Sequence, residues 1–164
     1  MKYIVRPYRL GEEKYVADAH KRIYSEEYHW GKVFTDYAMQ IALEFAAKEP
    51  NDREAVLVAE SDGKLIGCIM LCETETPTVG QLRMFLVEEK YRHYGIGTAL
   101  TSSILRKAKE ASFKELILWT ASPLTAAIRN YEKLGFRFVE EKDNCEWSLD
   151  GQKLKEIKMC KYLE

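Results

Sequence analysis

A chain of 164 residues with 46% hydrophobic and 31% charged side chains has the size and make-up of one globular domain, residues 1–164, able to bury its own core. Its net charge of −1 excludes a global basic field for nucleic acid or an anionic membrane. Met1–Leu10 holds Lys2, Arg6, Pro7 and Arg9 without an apolar core, and no run reaches a membrane span, so a cytoplasmic protein without a signal peptide is expected.

Lys2–Tyr8 alternates like a strand, and Pro7 confines it to a sheet edge or a strand end. Leu10-Gly11-Glu12-Glu13 starts a helix with Val16, Ala19, His20, Ile23 and Tyr24 on its apolar side, ending near Tyr28–Gly31. A second helix is predicted from Thr35 to Lys48, with a stripe of Tyr37, Ile41, Glu44, Phe45 and Lys48 and with Ala38 and Ala42 beside it. Pro50-Asn51-Asp52 reads as its stop and turn. Ala55–Glu60 is a strand, Ser61-Asp62-Gly63-Lys64 a hairpin turn, and Leu65–Glu73 the return strand, with Gly67 marking a bulge. Thr74–Gly80 is a loop. Gln81–Val87 follows as an almost wholly apolar strand, the pattern of burial on both faces. Cys68, Cys72, Cys145 and Cys160 show no paired metal spacing, nor do His20, His29 and His93, so no metal is expected and the thiols read as free and buried.

Lys90 to Gly97 makes a basic, glycine-containing turn, and Ile96, Leu100, Ile104, Leu105 and Ala108 then recur at helical spacing. Gly95 and Gly97 permit positive φ and close backbone approach where a helix N-terminus offers unpaired N–H groups, which suits a pyrophosphate. A Rossmann site wants a small residue where Leu100 stands, and a P-loop wants a lysine that Gly97-Thr98-Ala99 lacks. A turn without any ligand is the plain alternative. Leu116–Thr120 reads as a strand, Pro123 opens a helix, Gly135 ends it, and Phe136–Glu141 and Lys153–Lys161 are closing strands joined by Asp143–Gly151.

Arg92-x-x-Gly95-x-Gly97 after an apolar strand resembles the acyl-CoA-binding motif of the GCN5-related N-acetyltransferase (GNAT) family, and the run ending Tyr131-Glu132-Lys133-Leu134-Gly135-Phe136 is similar to the second half of that family's core. The resemblance is strongest from Val56 to Val139. It implies an α/β (α+β) single domain with a mixed central sheet of about six to seven strands, about four helices and splayed central strands. It implies acetyl-CoA as acyl donor, with its pantetheine arm between Gln81–Val87 and Glu115–Thr120. The implied cofactor-binding residues are Phe85, Leu86, Val87, Arg92, His93, Tyr94, Gly95, Ile96, Gly97, Thr98 and Tyr131. Tyr131 is also the implied proton donor to the departing thiolate, a role suited to a phenol; packing with a hydrogen-bonded hydroxyl is its alternative. A strand N–H near Phe85–Val87 would meet the oxyanion.

A family asparagine has no counterpart, because Leu124 stands in its place; Ser122 and Thr125 are substitutes, although Ser122 also suits a helix N-cap. Candidate general bases are Glu73, Glu75, Glu26 and Glu27, each also readable as surface, while Gln81 stands where a carboxylate would be most useful. Arg83 pairs either an acidic substrate or a nearby carboxylate. Ser25–Gly31 suggests an aromatic, partly acidic pocket for a cationic amine, or else a hydrophobic staple between helices. The expected partner is a small-molecule or peptide amine acceptor, with a homodimer as in many family members. The run from Leu118 to Phe136, with Tyr24–Gly31 and Trp147, also resembles acetyltransferase domains fused to MarR-type regulators in bacteria, here without a preceding DNA-binding part. A non-catalytic acyl-CoA sensor or interaction module is the reading from another class.

Overall fold

The computed structural model describes residues 1–49 and 51–164. Pro50, the expected stop after the second helix, lies outside the described residues. The elements run β1 (Ile4–Pro7), α1 (Glu13–Tyr28), α2 (Lys32–Ala47), β2 (Ala55–Ser61), β3 (Lys64–Glu73), β4 (Val79–Val87), α3 (Ile96–Glu110), β5 (Glu115–Ala121), α4 (Thr125–Lys133), β6 (Arg137–Asn144) and β7 (Leu154–Tyr162). Among the described residues one seven-stranded sheet has the order β1-β2-β3-β4-β5-β7-β6, and its single parallel pair is β4 with β5. Pro7 sits on edge strand β1, where its missing N–H breaks no ladder.

The β2–β3 turn follows its sequence. Asp62 and Gly63 both have positive φ, 49° and 73°, as a type I′ turn requires, and Ser61 pairs with Lys64. The bulge expected at Gly67 falls one residue earlier. Ala59 opposes Gly67 and Glu60 opposes Leu65, which leaves Ile66 unmatched. Gly67 has a packing role instead: a Cβ there would lie 2.9 Å from the Leu86 carbonyl oxygen and 3.2 Å from Leu100, so α3 sits close on the sheet.

Two layers of side chains cover the sheet. Ile69, Leu71, Leu82, Leu116 and Leu118 meet Ile96, Leu100 and Ile104 of α3 on one face. Cys68, Met70, Met84 and Leu86 meet Val16, Ala19 and Ile23 of α1 and Ala38 and Ala42 of α2 on the other. A fully buried Leu or Ile of this kind contributes about 1.5–3 kcal/mol.

Several expectations are corrected. The buried stripe of α2 is Thr35, Ala38 and Ala42, whereas Tyr37 is 47% exposed; the alanines let α2 lie close to the sheet and α1. β4 has buried side chains on both faces, as expected, Leu82 towards α3 and Met84 and Leu86 towards α1 and α2, although buried and half-buried residues alternate along it. Pro123 precedes the N-cap Leu124 rather than standing in the first turn of α4. Ser122 does not cap α4: its N–H donates to the Lys155 carbonyl and its Oγ accepts from the Lys155 N–H, tying the end of β5 to β7. Cys145 is exposed and Cys160 half-buried, so only Cys68 and Cys72 are buried thiols.

Candidate active site

The site begins with an irregularity in β4. On β3, Cys68 and Met70 are two residues apart; their partners Leu86 and Arg83 are three apart. The extra residue of β4 is accommodated at Met84, whose φ of 54° is uncommon for a long side chain. The bulge puts Arg83 and Met84 on the same face in succession and switches the phase of the strand. Leu82 belongs to the α3 face, while Met84 and Leu86 belong to the α1–α2 face and Phe85 returns to the α3 side. This explains why β4 reads as uniformly apolar in the sequence.

The parallel ladder between β4 and β5 runs only from Val79–Glu115 to Leu82–Leu118. β4 continues to Val87 and β5 to Ala121, so the two strands part beyond the ladder. Backbone groups of β4 on that side have no strand partner. Thus the expected splay is present.

Beyond β4, a 3-10 turn (Glu89–Tyr91) leads to the glycine turn, where His93 and Gly95 have φ of 70° and 79°. Among the described residues, none of the six backbone N–H groups from His93 to Thr98 donates to a protein acceptor; the first to do so is that of Ala99, to Gly95. Such a run of free donors at a helix N-terminus fits a phosphate or pyrophosphate. Gly97 faces Phe85, and a Cβ there would lie 3.3 Å from its ring. Arg92 differs from expectation. Its guanidinium makes a two-pronged ion pair with Glu27, both contacts 2.8 Å, and its Nε donates to the Val87 carbonyl at 3.0 Å. It therefore fastens the turn to β4 and α1 rather than offering its charge to a ligand.

A cavity of about 410 Å³ passes through the opening between β4 and β5. Phe85, Ala127 and Tyr131 line it on the α4 side. Tyr24, Trp30, Phe34, Tyr37 and Trp147 form an aromatic wall on the other. Trp30 is 3% exposed and packs within 5.1 Å of the Tyr24 and Trp147 rings and 4.7 Å of Phe34. The wall is held because the α1–α2 turn pairs with the β6–β7 loop: Gly31 N–H donates to the Trp147 carbonyl and Leu149 N–H to that of His29.

Tyr131 is 6% exposed, and its hydroxyl has no hydrogen-bond partner among the described residues. Burial pushes its phenol well above the ordinary value, so it stays protonated at neutral pH. His20, at 3% exposure, also lines the cavity. Its Nδ1–H donates to the Val16 carbonyl at 2.7 Å, and burial lowers its pKa to about 4, which keeps the ring neutral.

The proposed bases fall elsewhere. Glu73 accepts from Asn51 and Arg53 at the far end of β3, opposite Gly80. Glu26 is exposed on α1 and Glu27 is taken by Arg92. Neither Glu26 nor Glu73 lines the cavity; the carboxylate that does is Glu156 of β7, with its side chain 16% exposed. Lys142 Nζ lies 3.8 Å from Glu156, and Asn144 donates to it at 3.2 Å. Glu156 and Lys142 escaped the sequence reading because they sit on a charged hairpin where Glu and Lys alternate without pattern. Only the opposition of Ala121 and Glu156 across β5 and β7 brings them to the site. Gln81, Arg83 and Leu124 do line it.

Comparison with known proteins agrees with this geometry. Residues 16–136 match the model of the acetyltransferase (GNAT) family. The chain belongs to that family. It is 30% identical to human N-acetyltransferase 8 over 95 residues, 56% of this chain and 42% of that protein, and 34% identical to N-acetylaspartate synthetase of Xenopus tropicalis over 82 residues, 50% of this chain and 30% of that protein. The chain thus matches less than half the length of these relatives. The fold is shared with a GNAT-family acetyltransferase of Streptococcus pneumoniae (TM-score 0.77, 17% identity, covering 99% of this chain and 100% of that one). It is also shared with a Salmonella typhimurium protein solved with its cofactor acetyl-CoA (TM-score 0.78, 17% identity, covering 100% and 95%).

Proposed function

We propose that the chain is an N-acetyltransferase that moves an acetyl group from acetyl-CoA to an amine held in the aromatic cavity, by direct attack and without a covalent enzyme intermediate. The observation that carries the reading is the continuity of three features: the free N–H groups of His93–Thr98, the parting of β4 from β5, and the cavity that passes through that gap. The turn holds the pyrophosphate. The unpaired edge of β4 around Phe85–Val87 holds the pantetheine arm and offers N–H groups to the developing oxyanion.

The acceptor enters as an ammonium ion and must lose a proton before it can attack. Glu156 is the cavity's carboxylate and takes that proton to solvent. The neutral amine forms a C–N bond to the thioester carbon, the C–S bond breaks, and the sulfur leaves as a thiolate. Tyr131, which lines the cavity and whose hydroxyl has no hydrogen-bond partner among the described residues, gives the thiolate its proton, and the proton shed by the acetylated nitrogen restores the phenol. A thiol nucleophile is disfavoured on this chain: burial pushes Cys68 well up and Cys72 to about 11, and neither lines the cavity.

The test is thiol release from acetyl-CoA across a panel of amines, in the wild type and in Tyr131→Phe. Transfer that the variant loses through kcat supports the reading. Tight acetyl-CoA binding with no acceptor-dependent thiol release leaves the non-catalytic module, for which Gln81 and Leu124 in the cavity are the favouring observation.

A further inference from the structure

We infer that the acceptor is an amine that also carries a carboxylate, with an apolar or aromatic body, and that Arg83 is the residue that binds the carboxylate. The inference rests on the acetyl-transfer reading above and names the substrate class of that site.

The ionic groups lining the cavity are Arg83, Lys142 and Glu156, because His20 is neutral. Glu156 and Lys142 lie 3.8 Å apart, and Lys142 Nζ also rests 4.8 Å from the centre of the Trp119 ring, so these two charges satisfy each other. Arg83 is different. Among the described residues its guanidinium is in no ion pair; it donates to the Tyr37 hydroxyl at 2.8 Å, lies 5.9 Å from the centre of that ring, and has the Cys72 thiol beside it. A guanidinium has five N–H donors in a rigid fork that matches a carboxylate. The other donors of Arg83 have no carboxylate of this chain opposite them, so the charged fork is available to a ligand in the cavity.

The placement of Arg83 is a product of the fold. Arg83 pairs with Met70 and so lies on the α1–α2 side, beside the wall of the acceptor cavity, and the bulge that follows sets Met84 on that side as well. Arg83 also stands where β4 parts from β5, two residues before Phe85 on the unpaired edge where the thioester is expected. A single small molecule therefore spans both, with its carboxylate on Arg83 and its amine at the gap. The walls Tyr24, Trp30, Phe34 and Trp147 suit an apolar side chain. A doubly cationic amine is the opposite case and would meet Arg83 unfavourably.

The experiment compares L-phenylalanine with phenethylamine, which lacks the carboxylate, and with phenylalaninamide, which keeps its shape but not its charge. L-Tryptophan and tryptamine make a second set. Each is assayed with acetyl-CoA in the wild type, Arg83→Gln and Arg83→Lys. Binding of N-acetyl-L-phenylalanine and of N-acetylphenethylamine to the CoA-saturated protein is measured by calorimetry alongside. The wild type should favour the carboxylate-bearing member by about 10- to 100-fold in kcat/KM, mostly through KM. Arg83→Gln should bring that ratio towards one, and Arg83→Lys should restore part of it. A wild type without preference, or a preference that survives in Arg83→Gln, overturns the inference and leaves the acetyl-transfer reading standing. If no amine is acetylated, the transfer reading fails by itself. The calorimetric arm then decides Arg83: selective binding of the carboxylate ligand that Arg83→Gln loses upholds the site, and equal or absent binding of the two ligands overturns it.

Discussion

Acidification should weaken this protein through His20, by an amount the structure sets. The ring is buried between α1 and the cavity wall, stacks 5.7 Å from Tyr24, and gives its Nδ1–H to the Val16 carbonyl. Its pKa falls from 6.5 to about 4 in the folded chain, because desolvation penalises the imidazolium. A depressed folded pKa means that the unfolded chain binds a proton which the folded chain refuses. Stability from this residue is therefore complete above pH 6.5 and is lost as pH falls towards 4. One pKa unit corresponds to about 1.4 kcal/mol, so the loss is about 2 kcal/mol between pH 7 and pH 5, and about 3 kcal/mol once pH is below 4. For a chain of this length the loss at pH 5 lowers Tm by roughly 4–8 °C. Urea unfolding at pH 7, 6 and 5, for the wild type and His20→Gln, measures it. The variant should be less stable at pH 7 but flatter with pH, and the two stability curves should converge on acidification. Parallel curves would refute the argument, since they would mean that His20 titrates alike in both states.

Tyr131→Phe should lower kcat by about 100-fold or more, with little change in acetyl-CoA affinity, because only the proton donor is removed; wild-type turnover in steady-state kinetics would reassign the role. Glu27→Gln should weaken the two-pronged grip on Arg92 and loosen the turn that Arg92 fastens to Val87. The pair is partly exposed, so the expected loss is about 1 kcal/mol, read as a Tm lowered by a few degrees together with a raised KM for acetyl-CoA. An unchanged Tm and KM would show that the ion pair does not hold the turn.

Much of the fold is legible in the sequence because local chemistry agrees with it. Asp62-Gly63 specifies the hairpin, Gly95 with its positive φ begins α3, and Gly135, φ 90°, follows the end of α4. The parts that were not legible depend on partners distant in sequence. Met84 adopts a left-handed conformation without a glycine or asparagine to announce it, because the bulge answers the packing of β4 against β3 and the two helical layers. The stripe of α2 misleads because burial there selects the small Ala38 and Ala42 for close approach, while the larger Tyr37 turns to the cavity. Arg92 reads as a phosphate ligand until Glu27, 65 residues earlier, is seen to hold it. The carboxylates chosen from the sequence, Glu26 and Glu73, sit on the surface, and the cavity's own carboxylate comes from a closing hairpin that carries no motif.

The central claim is that the glycine turn and the gap beside it receive acetyl-CoA. Calorimetric titration of acetyl-CoA into the wild type and Gly97→Glu tests it most directly. Glutamate at this position would set its Cβ 3.3 Å from the Phe85 ring and bring a negative charge to a cradle of N–H donors. The account predicts micromolar binding to the wild type and none to the variant. Equal binding by the two proteins, or no binding by the wild type, would contradict it.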